Sequence, residues 1–527
     1  MANISSPTDK PDNDENKGMY QTSVNSVAIE EPLDCPNTKR DLKARHALFI
    51  AWGGTVGTGL FITTGKTLAT GGPAFLVGSY VFVSIMVYFI LTGVIEMATF
   101  LPVRGGSMSR YAGMFVSKSL GFAMGWLYVY SFAILVPFEL TACAILIDFW
   151  QPGVNSAVWI TILLVLLVIL NVLPVKFYGE AEFFFTGVKL ATIIGLLCLS
   201  FILFWGGGPG HNMLGFHYWK DPGAAKTLIL EGDAGRLIAA IATVISSILP
   251  FSFTPEMVVG TAAEIRDPRK NVPRVAKHFT WRLIVLFVGS AIGISVVCPY
   301  NASTLTSGSD AASSPWVAGI HQARIAGWDS VINAVALIAA WSTGNAFLYL
   351  SSRCLHSMAV EGSAPRIFQR CTAKGVPIYA VGATACVSLL AYMTLNSSSA
   401  TILNWLLNLV NTGGFLSWIC CSITYLRFRR ACEVQGIHKS KLTQRSPLQP
   451  YTSWITLVTF SVLCLLNGFT VFFPSEWSIA SFMSAYIGLP AFFILYFAHR
   501  FTYRKDSWVI PSESVVLQLA SLQLEDI

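Results

Sequence analysis

Two short segments of this sequence place helix-breaking residues inside long apolar runs. The first apolar run contains the segment 53–59 (Gly-Gly-Thr-Val-Gly-Thr-Gly). Glycine lowers the cost of leaving helical geometry, and the N–H groups freed at the start of the next half-helix can bind an anion at the positive end of its dipole. Close packing through the pair Gly53 and Gly57 is the alternative. Four glycines interleaved with two threonines exceed what packing needs, so we expect a binding site here.

The sixth apolar run contains the segment 250–256 (Pro-Phe-Ser-Phe-Thr-Pro-Glu). Pro250 and Pro255 have no N–H, so the carbonyls that they would have bonded stay free. Those carbonyls and Glu256 can accept an ammonium group, although a plain proline bend is the alternative interpretation. An anion site and an ammonium site a few ångströms apart match the backbone of an amino acid. Phe251 and Phe253 are candidates to line such a pocket.

Ionisable residues within apolar runs are functional candidates, because each costs roughly 2.5–3.5 kcal/mol to insert in a membrane. Four stand out, namely Glu96, Glu139, Lys189 and Glu256. The alternatives are that Glu96 lies in water near a helix end and that Lys189 extends to the membrane surface. The sequence has no nucleophile–base pair, metal-ligand cluster or Walker loop, so we expect no catalytic residue, metal site or cofactor.

The composition indicates a protein that crosses a membrane many times. Hydrophobic residues make up 54% of the chain and charged residues 12%, whereas roughly 25% charged residues are usual in soluble domains. The net charge of +7 does not indicate a nucleic-acid partner, because the basic residues are distributed by membrane side. Twelve spans about 20 residues long are predicted, near residues 47–70, 74–100, 121–147, 157–173, 185–205, 236–260, 281–299, 328–352, 376–395, 403–426, 454–473 and 479–499.

The placement of Lys and Arg predicts the orientation of these spans. With the N-terminus inside, the inner segments hold 29 basic residues and the outer segments hold five. The positive-inside rule therefore predicts that both termini are cytosolic. The segment 1–37 is polar and has no apolar core, so no cleavable signal peptide is predicted. We expect a disordered N-terminal tail (1–45), a permease domain (46–500) and a C-terminal tail (501–527).

Six stretches in this order resemble the fungal amino-acid permeases of the amino acid–polyamine–organocation superfamily, yeast amino acid transporter family. They are 53–61 in the first span, 96–99 with 105–107 at the exit of the second, 180–183 leading to Lys189, 267–273 after the sixth, 339–349 in the eighth, and 446–450 before the eleventh. The resemblance implies an all-α, LeuT-like fold. In that fold two inverted five-helix repeats, here about 46–205 and 236–427, are followed by two further helices, about 454–499, and helices one and six are broken.

The resemblance also implies a function and roles for residues. It implies a multi-pass plasma-membrane importer that couples amino acid entry to protons by alternating access. The residues implied to bind the substrate carboxylate are Thr55, Gly57, Thr58 and Gly59. Ser252, Phe253 and Glu256 are implied to shape the amino and side-chain region. Lys189 matches a lysine of the family's fifth helix that occupies the place of a sodium site. This match favours protons over sodium as the coupling ion.

Two further expectations come with the resemblance. The family usually has Gly-Thr-Glu in helix six, whereas this chain has Thr254-Pro255-Glu256, which alters the pocket that selects the side chain. Lysines of the N-terminal tail, such as Lys10 and Lys17, are candidate ubiquitylation sites, with ubiquitin-ligase and arrestin machinery as partners at the cytosolic tails.

Three functional hypotheses remain at this point. The leading one is a symporter of protons and amino acids in which Glu256 or Glu139 carries the proton and Lys189 is its charge partner. Neutral amino acids, several of them, are the expected substrates, and a preference for proline or for cationic amino acids is the alternative. A nutrient receptor on a permease fold is the second, although its kind tends to have a long N-terminal domain. The third is a facilitative exchanger.

Overall fold

Helices occupy the predicted spans, and no strand occurs among the residues that the structure describes. The structure is a computed structural model. It describes residues 57–101, 107–151, 153–262, 284–306, 314–325, 327–395, 397–437, 445–515 and 517.

The α-helices have the following bounds. In chain order they are α1 Thr64–Gly71, α2 Pro73–Phe100, α3 Met108–Phe115, α4 Lys118–Asp148, α5 Ser156–Val172, α6 Val175–Phe204, α7 Gly232–Ser246, α8 Thr254–Ala262, α9 Gly289–Val297, α10 Ser303–Thr306, α11 Pro315–Gln322, α12 Trp328–Val360, α13 Ile378–Val387, α14 Ser399–Val434, α15 Tyr451–Leu465, α16 Ile479–Tyr486 and α17 Gly488–Thr502. Two π-helical turns, Gly59–Thr63 and Ile284–Val288, precede α1 and α9.

Many of these helices can cross a membrane. Seven helices in the described part of the chain are long and apolar enough, or eight if the pair α16 and α17, bent by 43°, counts as one span. The shorter apolar helices α5, α9 and α15 fall in the fourth, seventh and eleventh predicted spans. Helices satisfy every backbone N–H and C=O internally, which lipid demands. The predicted all-α membrane fold is therefore confirmed.

The core of the bundle lies around α4. The most apolar 18-residue segment of α4 is 94% buried inside the protein. The corresponding segment of α6 and the segment Ile378–Leu395, which begins with α13, are each 28% buried. Helices α12 and α14 pack along α4. The helices at the periphery leave apolar side chains such as Phe201 and Ile194 exposed, 67% and 55% respectively. Such a surface is stable only against lipid.

Several helices extend beyond the predicted spans. The fifth span was predicted at 185–205, but α6 begins at Val175; α12 and α14 continue to Val360 and Val434. Hydropathy detects only the apolar part of a helix, whereas the polar turns at these ends are helical as well. The early start of α6 matters most, because it places Glu182 inside the helix, fully buried.

The loop between α6 and α7 covers the junction of the first two spans. The Lys226 backbone N–H donates to the Gly71 carbonyl at 2.9 Å, and Lys226 Nζ donates to the Ala69 carbonyl at 2.8 Å. Partial burial lowers the pKa of this lysine. Gly72 has φ +84°, and a Cβ there would lie 3.0 Å from the Ala224 carbonyl oxygen. The junction thus needs glycine both for its backbone and for the close approach of the loop.

Candidate functional site

The two predicted helix breaks meet inside the bundle. The π-helical turn Gly59–Thr63 contacts the 3₁₀ turn Leu249–Phe251. A Cβ built on Gly59 would lie 3.0 Å from Pro250 Cα, so the two backbones touch. The sixth span is therefore interrupted as predicted, and Gly57–Gly59, the described part of the first predicted break, lie against it; only glycine allows this approach.

The first break presents an uncapped helix start. Thr58 is the N-cap of the π-helical turn, but its side chain makes no capping hydrogen bond. The Thr58 hydroxyl instead donates a short hydrogen bond to Glu139 Oε2 on α4. No side chain caps this turn, and within it the Leu60 backbone N–H donates to the Gly57 carbonyl at 3.1 Å.

The second break is an interval of backbone that is not α-helical and contains Pro250. Helix α7 ends at Ser246, a 3₁₀ turn covers Leu249–Phe251, and α8 begins at Thr254. Phe253 has φ +59°, a left-handed conformation that a bulky residue adopts only where the surroundings impose it. Pro255 stands in the first turn of α8, where a missing N–H costs no helical hydrogen bond.

A cavity of about 20 Å³ lies where the breaks meet, which is roughly room for one water molecule. It is lined by Gly57, Gly59, Leu135, Glu139, Leu249, Pro250, Ser252, Thr343 and Phe347. Glu139 is the one charged side chain among these described lining residues. Because the cavity is so small, its walls must separate before a larger ligand can enter.

Five of the predicted substrate-binding residues differ in their position relative to the cavity. Gly57, Gly59 and Ser252 line the cavity. Thr58 is fully buried beside it and holds Glu139. Thr55 lies outside the described residues.

The two phenylalanines of the second break point into aromatic clusters and are absent from the cavity lining given above. The Phe251 ring packs 4.8 Å from Phe287 and 5.7 Å from Tyr80. The Phe253 ring packs 5.1 Å from Phe132 and 6.3 Å from Tyr128. The clusters explain the placement, since an aromatic ring buries more apolar surface among other rings than beside a carboxylate.

Lys189 and Glu139 belong to one buried polar network. Lys189 is fully buried at the middle of α6, so the alternative in which it reaches the membrane surface is wrong. Its Nζ donates to Thr343 Oγ1 at 2.9 Å, and a Cβ on Gly57 would collide with the same hydroxyl. The lysine thus touches the wall of the cavity through one side chain, Thr343.

Glu256 and Glu96 lie in two other networks. Glu256 accepts a short hydrogen bond from Ser417 on α14, and Cys421 Sγ lies 3.8 Å from the same oxygen. Glu96 is 1% exposed and pairs with Arg429, so it is not in water near a helix end as one interpretation held. Neither carboxyl is among the cavity-lining residues given above.

The structure adds residues that the sequence left unassigned. Leu135, Thr343 and Phe347 complete the cavity wall, and Glu182 forms a buried ion pair with Lys189 at 4.0 Å. The sequence did contain a signal for the pairing of Glu182 with Lys189. Glu182 precedes Lys189 by seven residues, about two turns of helix, and this spacing puts both side chains on one face of the helix. The wall residues of α4 and α12 carried no such signal.

The fold and the site define a class of protein. A bundle of membrane-crossing helices, two of them interrupted at facing positions near buried ionisable groups, is the architecture of a membrane transporter with a LeuT-like fold. A crystal structure of a manganese transporter from Eremococcus coleocola superimposes with a TM-score of 0.51, over 88% of this chain and 94% of that one. At 13% identity this likeness concerns the fold alone.

Comparison with known sequences gives the family. The model of the amino acid permease family matches residues 46–508. A proline-specific permease of Emericella nidulans is 42% identical over 89% of this chain and 86% of that protein. The proline-specific permease of Saccharomyces cerevisiae is 41% identical over 95% and 81%, and the dicarboxylic amino acid permease of the same yeast is 38% identical over 94% and 83%.

The chain belongs to the amino acid permease family. It is a multi-pass membrane protein that transports amino acids and is not an enzyme.

Proposed function

We propose that this protein imports neutral amino acids across the plasma membrane together with protons, and that L-proline is a principal substrate. The observation that carries the proposal is the meeting of two broken helices at a cavity whose described lining includes a single ionisable side chain, Glu139.

The two breaks suit the two charged ends of an amino acid. The carboxylate is assigned to the uncapped helix start at Gly57–Gly59, where N–H groups and the helix dipole favour an anion. The ammonium is assigned to Glu139 and to carbonyls near Pro250, which has no N–H to offer them. Glu139 replaces Glu256 in this role, because Glu139 lines the cavity and Glu256 is not among the lining residues given above.

The walls favour a small neutral side chain. Leu135, Leu249 and Phe347 supply apolar surface to the cavity. A cationic side chain would need a second carboxylate and an acidic one would need a cation, since buried charges are stable only when paired. Proline meets these demands, because its ring is apolar and its secondary ammonium still donates two hydrogen bonds. Two relatives at 41–42% identity are named proline-specific permeases, which supports the same choice.

Proton coupling is assigned to Glu139 and Lys189. Glu139 contacts both the cavity and Thr58, and Lys189 contacts the cavity wall through Thr343. A change in the charge of this pair therefore alters the forces between the first span, α4 and α12. Glu256, between α8 and α14, and Glu96 remain candidates for further proton-linked steps.

The test is uptake of labelled L-proline in fungal cells that lack their own amino acid permeases. We expect accumulation that is faster at acid external pH, collapses with a protonophore, and is inhibited by unlabelled neutral amino acids more than by arginine or glutamate. An unchanged rate with protonophore and active counterflow would favour an exchanger. A cellular response to proline without accumulation would favour a receptor.

The orientation and the tails are part of the proposal. The distribution of Lys and Arg supports cytosolic termini, and lysines such as Lys10 and Lys17, outside the described residues, are proposed to accept ubiquitin. Replacement of the lysines of the segment 1–45 by arginine should keep the permease at the cell surface under conditions in which the wild type is internalised. Equal internalisation of both proteins would refute this role.

A further inference from the structure

A second buried carboxyl lies beside Lys189 on α6. Glu182 is fully buried on α6. Its Oε2 accepts a hydrogen bond from Ser342 at 3.1 Å, and its Oε1 accepts one from Thr186 at 3.4 Å. Lys189 Nζ lies 4.0 Å from Oε1. The network thus has three ionisable groups, the carboxyls of Glu139 and Glu182 and the amine of Lys189.

The order of these groups runs from the cavity toward one membrane face. Glu139 lines the cavity. Side chains on a helix tilt toward its N-terminus, so Lys189 reaches back along α6 toward Glu182. That end of α6, at Val175, is the end that the proposed topology places in the cytosol. Lys189 therefore stands between a carboxyl at the substrate site and a carboxyl on the cytosolic side.

Polar side chains continue beyond Glu182 in the same direction. Ser342, which donates to Glu182, stands about one turn before Asn345 on α12. Asn171 Nδ2 donates to Asn345 Oδ1 at 2.8 Å, and Asn171 is the last residue but one of α5, Ser156–Val172. A path of polar groups thus extends from the lysine to the end of a membrane helix.

The composition of the network makes it able to hold one exchangeable proton. Buried charges are stable when paired. One ammonium carries the charge to balance one carboxylate, so the other carboxyl is best accommodated protonated and neutral. Other titratable or charged groups near Glu182 are Tyr178, on the same helix, and beyond it Tyr349 and Arg353 of α12. None of them stands between Glu182 and Lys189.

We propose that Glu182 is the proton-release group of this transporter. The Lys189 ammonium gives its proton to the Glu182 carboxylate, which leaves a neutral amine and a carboxylic acid. The acid then releases the proton toward Asn171 and the cytosol, and the amine is recharged by the proton that enters on Glu139. The 4.0 Å separation must shorten to hydrogen-bond distance, about 3 Å, which couples the transfer to movement of α6. This step rests on the proposed proton symport.

The test uses purified protein in liposomes with labelled L-proline. Glu182→Gln keeps the size and shape of the side chain and one acceptor oxygen, but its amide cannot take up a proton. We expect this variant to retain proline counterflow, which needs no net proton transfer, and to lose pH-gradient-driven accumulation by about tenfold or more. Glu182→Asp, which keeps a titratable group, should recover part of the accumulation. Glu180→Gln is the matched control, because Glu180 is exposed on the same helix, and it should behave as wild type.

The outcomes separate this step from the function on which it rests. Wild-type protein without gradient-driven accumulation would refute the proton symport and the release step with it. Accumulation by the wild type and equally by Glu182→Gln would refute the release step alone. Loss of counterflow in both Glu182→Gln and Glu182→Asp would show that the carboxyl only stabilises Lys189, and would also overturn the proposal.

Discussion

Arg429 Nη1 on α14 lies 2.9 Å from Glu96 Oε1 on α2, and both side chains are at least 93% buried. Tyr425, one turn before the arginine, donates to the other Glu96 oxygen at 2.9 Å. Helices α2 and α14 are thus joined within the protein by a charged pair whose two residues are 333 positions apart in the sequence.

Removal of one partner of this pair should destabilise the protein. Arg429→Ala leaves the Glu96 carboxylate buried without its counter-ion, which we expect to cost about 3–5 kcal/mol. The melting temperature of the detergent-solubilised protein measures the effect. Lys118→Ala is the control, because Lys118 pairs with Asp506 at 3.4 Å while 67% exposed, and such a pair contributes about 0–1 kcal/mol. Equal melting temperatures for the two variants would contradict the prediction.

An added methyl group at the first break should block transport. Gly59→Ala places a Cβ about 3.0 Å from the Pro250 backbone, so the two broken helices must move apart. Because a displacement of about 1 Å at a site can cost about a hundredfold in rate, we expect initial proline uptake to fall by more than tenfold at equal surface expression.

Gly78→Ala is the control for this change. Gly78 is exposed on α2 and a Cβ there meets nothing within 4 Å. Its uptake should match wild type. Wild-type uptake by Gly59→Ala as well would mean that the contact between the breaks is not needed for transport.

Loss of the charge at Glu139 should weaken substrate binding. Glu139→Gln can still accept the hydrogen bond from Thr58 but cannot pair with an ammonium group. A hydrogen bond to a charged group contributes about 1.5–3 kcal/mol, so the Kd for proline should rise by about tenfold or more. Equilibrium binding of labelled proline to the purified protein provides the measurement. Glu476→Gln, on an exposed loop, is the control, and an unchanged Kd in Glu139→Gln would remove Glu139 from the site.

The C-terminal segment should detach when its main anchor is removed. Gln435 Nε2 donates to the carbonyls of Ser512 and Val515 at 2.8 and 2.7 Å, and Leu517 is fully buried. Each hydrogen bond contributes about 0.5–1.5 kcal/mol, so Gln435→Ala should speed hydrogen exchange and proteolysis at 512–517. Gln322→Ala, at an exposed position, is the control. Equal protection in both variants would argue that burial of Leu517 alone holds the segment.

The sequence was sufficient to predict that the protein is a bundle of membrane-spanning helices. Lipid offers no hydrogen bonds to the backbone, so an apolar run of sufficient length must be helical. For the same reason the glycines at 53–59 and the prolines at 250 and 255 predicted both breaks, of which the structure describes the first from residue 57 onward. Helix ends were less well predicted, since hydropathy does not register the polar turns at Val175–Glu182 or at the end of α14.

The partners of the buried charges were decided only by the tertiary structure. The local sequence favoured Glu256, which adjoins the second break, whereas the structure places Glu139 at the cavity and Glu256 in a hydrogen bond with Ser417. Composition and periodicity describe one helix at a time, whereas a buried carboxyl is stabilised by whichever polar groups neighbouring helices bring to it. The sequence therefore determined that these helices cross a membrane and where two of them break, and packing between distant helices determined which charges meet.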